Sequence, residues 1–120
     1  MSTDPVFFAS LKEWRDWLSV HHGSSDGIEL GLIKKGAGIP GIMLEEAVDE
    51  ALCWGWIDSR AHSIDKQRWV IHMSPRRPKS PWSAISIKRV ERLIAEGRVA
   101  PAGMAAFERR GTAKKKLRDG

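Results

Sequence analysis

Residues 54–83 read WGWIDSRAHSIDKQRWVIHMSPRRPKSPWS, and this stretch decides the fold. It holds four of the chain's six tryptophans. So many bulky indoles, which favour burial, imply a packed centre. Two strand-length runs, 56–63 and 67–74, are joined by a turn near Asp65-Lys66. On the second run Trp69, Ile71 and Met73 share one face, while Val70 and His72 share the other. Neither face is purely polar, so this strand is expected to be central or covered on both sides. The loop 75–82 carries Pro75, Pro78 and Pro81, which make it poor strand and poor helix.

Upstream, residues 43–54 space Leu44, Ala47, Val48, Ala51 and Leu52 as the apolar stripe of a helix, with Glu45, Glu46, Asp49 and Glu50 opposite. Gly55 is its natural stop. Residues 28–35 suit a strand, and 36–41 form a glycine-rich turn. A helix over 10–22 is signalled by Ser10 with Glu13 three residues on, followed by Leu11, Trp14 and Leu18. Downstream, Ser83 caps a helix over 84–96 that ends at Gly97, and Pro101 opens a last helix over 101–110. Residues 111–120, GTAKKKLRDG, have little to bury and read as a disordered basic tail. The expectation is therefore a single α+β domain over 1–110. About three mainly antiparallel strands pack with four helices in the order αβαββαα.

A chain of 120 residues supports one modest core. The opening MSTDPVFFASLKEW lacks the features of a secretory signal, and no apolar run reaches the length of a membrane span. The lone Cys53 allows no internal disulfide and fits a reducing cytoplasm, where the chain is expected to reside. A net charge of +5 hides an asymmetry. Residues 1–59 hold four Lys/Arg against ten Asp/Glu, and residues 60–120 hold sixteen against five. Such halves can pair within the chain, join two copies head to tail, or offer the basic half to an anionic partner.

Two groups invite chemistry. Asp58 follows Trp56 and Ile57, so its carboxylate belongs at the core margin, as an acid/base group or as a structural partner of the basic loop. Arg76, Arg77 and Lys79 lie on the proline-stiffened loop, with Ser80, Ser83 and the following helix start close by. Guanidinium forks match phosphate and carboxylate, and helix N–H groups favour anions. The same arginines could instead pin the acidic second helix and Asp58. Trp56, Trp69 and Trp82 either line one pocket or simply pack, and Trp82, between Pro81 and Ser83, is the one expected to be partly exposed. Cys53 reads as a buried, inert thiol. His21, His22, His62 and His72 show no zinc spacing, although His62 and His72 could face each other across paired strands. No Walker A, GxSxG or GxGxxG motif is present, so no cofactor is expected.

The runs EEAVDEALCWGWIDS at 45–59 and SPRRPKSPWSAISIKRVERLIAEGRVAPAG at 74–103 resemble the YdeI/OmpD-associated family, also called bacteriocin-protection or OmdA-like proteins. The resemblance spans roughly 7–110 and includes Trp14, Trp17 and the strand ending in Lys34-Lys35. Ser74, Ser86 and Val99 depart from it, standing where threonine, asparagine and methionine are usual, and residues 1–120 match a short form without the C-terminal helical extension of longer members, unless the chain is truncated at residue 120. The resemblance implies a stress- or antimicrobial-peptide-tolerance protein with no defined reaction. With the basic loop, it leads to an expected non-enzymatic binder of an anionic small molecule or headgroup, using Arg76, Arg77, Lys79, Ser80, Trp82, Ser83 and Trp56. An enzyme with Asp58 as acid or base and Arg76/Arg77 as anion clamp is the alternative. Nonspecific nucleic-acid binding by the basic half comes third.

Overall fold

The computed structural model describes residues 4–77 and 81–109. Its elements run α1 (Leu11–His21), β1 (Ile28–Ile33), α2 (Leu44–Cys53), β2 (Trp56–Ser63), β3 (Arg68–Pro75) and α3 (Ala84–Ala95), followed by α4 (101–109). The architecture is α+β in the order αβαββαα, as the periodicities predict. Both strand pairs are antiparallel, and the order β1-β3-β2 makes β3 central. The expected basic tail lies outside the described residues.

Local chemistry explains each boundary. Ser10 accepts from the Glu13 amide at the start of α1, and Ser83 accepts from the Ser86 amide at the start of α3. Gly55 and Gly97 stop α2 and α3 at φ of 78° and 71°, a region that penalises any Cβ. The β2–β3 turn is tied by Asp65, whose carboxylate accepts from the amides of Gln67 and Arg68 at 2.8 Å each. Strand β1 ends two residues before the expected Lys35. There the Ala37 amide donates to the Lys34 carbonyl and Gly36 turns at φ 82°, which closes a tight turn.

The larger core lies between one face of the sheet and helices α1 and α2. Trp14, Leu18, Leu30, Leu32, Ala47, Ala51, Trp56, Ile71 and Met73 are buried there. Burying each large apolar side chain contributes about 1.5–3 kcal/mol. The two buried indoles also satisfy their N–H groups: Trp14 donates to the Ala47 carbonyl at 3.2 Å and Trp56 to the His22 carbonyl at 3.3 Å. A second cluster joins Leu52 and Cys53 of α2 to Val90 and Leu93 of α3, with Phe107 of α4 against it. Helix α2 therefore serves both clusters, and it fixes where α3 lies relative to β2.

A segment that the periodicities do not announce lies along the outer edge of β1 and reaches onto the opposite face of the sheet. Val6 bridges to Leu30 in parallel, its amide donating to the Glu29 carbonyl at 2.9 Å. Gly31 then leaves room for the Phe7 ring, since a Cβ at that position would lie 2.3 Å from a ring carbon. His72 pairs with Glu29 across β1 and β3 at 2.5 Å. It does not face His62, which is opposite Val70. The register shift between Asp58 and Ala61 puts His62 opposite Val70 rather than Trp69.

Candidate functional site

The segment leaving β3 is anchored before it reaches the proline loop. The Arg76 amide donates to the Gly55 carbonyl at 2.9 Å, extending the β2–β3 contact by one residue. The Arg76 side chain turns in and is only 6% exposed. Its guanidinium lies 4.0 Å from the centre of the Trp82 ring and donates to the Pro81 carbonyl at 2.9 Å. Trp82 in turn meets Phe107 edge-on at 5.7 Å. Trp82 is partly exposed, and its ring already meets the protein's own arginine and α4. Cation–π attraction of this kind strengthens as water is removed.

Arg76 and Asp58 line the same small cleft, of about 70 Å³, together with Val48, Ala51 and Leu52 of α2, Trp56 and Ile57 of β2, and Ser86 of α3. Burial lowers the Arg76 pKa, and the Asp58 carboxylate opposes that shift. Half-buried Asp58 sits opposite Met73 on the α2-facing side of the sheet, which is why it points toward the helices. Trp56 contributes to the cleft wall although it is 1% exposed, so its main part belongs to the core. Ser83 is turned to the α3 cap, donating from its hydroxyl to the Ser86 hydroxyl at 3.0 Å. Arg77 is exposed. Lys79 and Ser80 lie outside the described residues. Ser86 is absent from the ligand-binding set that the sequence suggests. The signal that could have found it is its position three residues after the cap, on the side of α3 that faces α2.

The acidic and basic halves of the chain meet beside this cleft. Asp49 of α2 accepts from Arg89 at 2.9 Å and from Arg92 at 2.8 Å, both on α3. Burial pushes the Asp49 carboxyl up, but the hydrogen bonds and charges of Arg92 and Arg89 outweigh it and hold the pKa below 3.8. A carboxyl that ionises at lower pH when folded stabilises the fold above its unfolded value and loses that contribution as pH falls. The α2–α3 contact is therefore expected to loosen below pH 3.8. Asp49→Asn should cost about 2 kcal/mol at neutral pH, the scale of hydrogen bonds to charged groups. It should also flatten the acid limb of a urea-midpoint-versus-pH curve. Next to this latch, Glu50 is 3% exposed and lies 3.4 Å from Arg15 and 3.5 Å from Arg98.

Cys53 is buried at the end of α2. Burial, reinforced by the Glu50 carboxylate, pushes its thiol up to about 12. The thiolate is the reactive form, so this side chain is inert in the folded state. Native protein should resist a thiol-exchange reagent at neutral pH and react fully once unfolded in guanidinium. Fast native labelling would contradict the packing of α2 against α4. Trp14 and Trp56 are buried, and the other four tryptophans are partly buried. Among the described residues, no group of three or more His, Cys, Asp or Glu could hold a metal ion. No helix among them is long and apolar enough to cross a membrane.

Residues 6–106 match the model of a family described as a domain of unknown function, DUF8412. The chain belongs to the DUF8412 family. The match runs from the Val6 bridge on β1 to Ala106 of α4, so the DUF8412 unit contains both core clusters and every wall of the cleft. No curated protein and no solved structure matches the chain.

Proposed function

We propose that this chain is a small, non-enzymatic cytoplasmic binding protein, related to the YdeI/OmpD-associated proteins. In this reading it holds the anionic end of a small ligand in the cleft between β2, α2 and α3. The observation that carries the reading is the shared cleft of about 70 Å³ that joins Arg76, Asp58 and Ser86. Its size suits a carboxylate or phosphate head rather than a whole metabolite. Arg76 supplies the charge and a planar donor fork, held in place by Trp82. Ser86 supplies a hydroxyl, and Asp58 orients the guanidinium while limiting how strongly the cleft attracts anions. Arg77, exposed just outside, adds to the positive field at the mouth.

Titration with inorganic phosphate and with acetate, followed by amide chemical shifts, tests this reading. The parent protein should saturate with one of them. Arg76→Lys keeps the charge but loses the fork and the flat face on Trp82, so affinity should fall about tenfold. Asp58→Asn removes the competing charge at nearly constant shape, and anion affinity should rise severalfold. Absence of saturable shifts near Asp58, Arg76 and Ser86 in the parent would refute the proposal.

The presence of Asp58 and Arg76 in one cleft also favours a second reading, a small enzyme with Asp58 as acid or base and Arg76 as anion clamp. Asp58→Asn separates the two. Tighter binding with no lost turnover supports the binder, whereas abolished turnover of a substrate that still binds supports the enzyme.

A further inference from the structure

A second cavity lies away from the arginine cleft, where the end of β1 and the start of β3 meet the start of α2. It measures about 340 Å³ and is lined by Ile33, Lys34, Lys35, Met43, Leu44, Glu45 and Trp69. This volume is within the range of about 300–1,000 Å³ typical of small-molecule sites. Its wall is almost entirely apolar: the Trp69 ring and the Ile33, Met43 and Leu44 side chains. Met43 is 39% exposed, an uncommon placement for a thioether that can re-pack around a guest.

The mouth carries charge of one predominant sign. The Lys34 ammonium donates to the Ser63 hydroxyl and to the Asp65 carbonyl, both at 2.7 Å, and both acceptors are neutral. The nearby Asp65 carboxylate is engaged by Arg68 at 3.1 Å and by two backbone amides. Lys35 is exposed next to it. Glu45 is the one acidic residue in the lining, against the two lysines Lys34 and Lys35.

We propose that this cavity binds a free, single-chain amphiphilic carboxylate. The apolar tail would lie on Trp69, Ile33, Met43 and Leu44, and the carboxylate would meet Lys34 and Lys35. An apolar wall selects the tail, and the cationic mouth selects the sign of the head. The cavity holds one chain, so the ligand is the dissolved monomer rather than a bilayer.

Decanoate is the probe, with decanol and decyltrimethylammonium as controls of the same tail. Calorimetry should show saturable binding of decanoate at one site, with the Trp69 indole resonance shifting in step. Decyltrimethylammonium should bind at least about tenfold more weakly. Replacing both lysines (Lys34→Met with Lys35→Met) should weaken decanoate about tenfold and leave decanol within about twofold of the parent. Met43→Lys, which places a charge in the tail region, should weaken all three ligands. Equal affinity for the anionic and cationic probes overturns the proposal. So does decanoate that fails to saturate by about 1 mM, or saturation without movement of the Trp69 indole.

Discussion

Trp56→Ala is expected to remove about 3–5 kcal/mol of folding stability rather than merely to empty a binding cleft. Trp56 opens β2, is 1% exposed, meets Trp17 edge-on at 5.6 Å and donates its indole N–H to the His22 carbonyl. Truncation removes the transfer energy and leaves a cavity, a combined loss of about 3–5 kcal/mol. A domain of this size has about 5–15 kcal/mol in total. It also leaves the His22 carbonyl short of a donor at the end of α1, so α1 and β2 lose register together. Urea denaturation with near-ultraviolet dichroism measures the effect. Trp82→Ala is the control: half-buried Trp82 covers Arg76 and Phe107, and its loss should perturb α4 more than the sheet. A Trp56→Ala protein that unfolds cooperatively with under about 1 kcal/mol lost would contradict the placement of this indole in the core.

Gly103→Ala is expected to detach α4, an effect out of proportion to one methyl group. A Cβ at Gly103 would lie 2.3 Å from the Cys53 carbonyl oxygen and 2.7 Å from its carbon, both backbone atoms at the end of α2. That oxygen already accepts from the Ala100 amide at 2.9 Å. Neither backbone can yield without breaking the junction. The loss should reach about 3 kcal/mol, the upper part of the overpacking range. Gly55 faces the same junction at φ 78°, and a Cβ added there would lie 3.1 Å from the Ala102 carbonyl oxygen. Hydrogen exchange should show α4 amides losing protection in Gly103→Ala while β3 amides keep theirs. Unchanged protection in α4 would show that the two backbones do not approach so closely.

Elements with a strong local signature are legible in the sequence. The stripe Leu44, Ala47, Val48, Ala51, Leu52 gives α2 within a residue at each end, and Ser10 and Ser83 cap the helices that follow them. The alternation around Val70 marks β3 as central because both of its faces carry apolar groups. Long-range encounters are not legible. Gly31 looks like an ordinary weak spot in a strand until Phe7 is seen lying on it. Gly103 looks like a poor helix residue until the end of α2 is seen against it.

The candidate site shows the same limit in another form. The sequence brings out Asp58, Arg76 and the Trp82–Ser83 corner, because residue type and stiff neighbours are local properties. The Arg76 guanidinium is held by near neighbours, the Pro81 carbonyl and the Trp82 ring, but its place depends on groups distant in the chain, the Gly55 carbonyl that fixes its backbone and the space between α2 and α3. The i, i+3 spacing of Arg89 and Arg92 puts both on one side of α3, yet nothing local says that Asp49 is the carboxylate they meet.

The two flanks of the sheet have a consequence for association. Along β2 the register slips between Asp58 and Ala61, so its outer row of amides and carbonyls is not straight. Along β1, Val6 occupies part of the other row, and the Ile33 amide is taken by the Ile42 carbonyl. A neighbouring molecule looking for a template strand meets a kink on one side and a filled seat on the other. The sheet is finite by construction, and fibrous growth has no easy starting point.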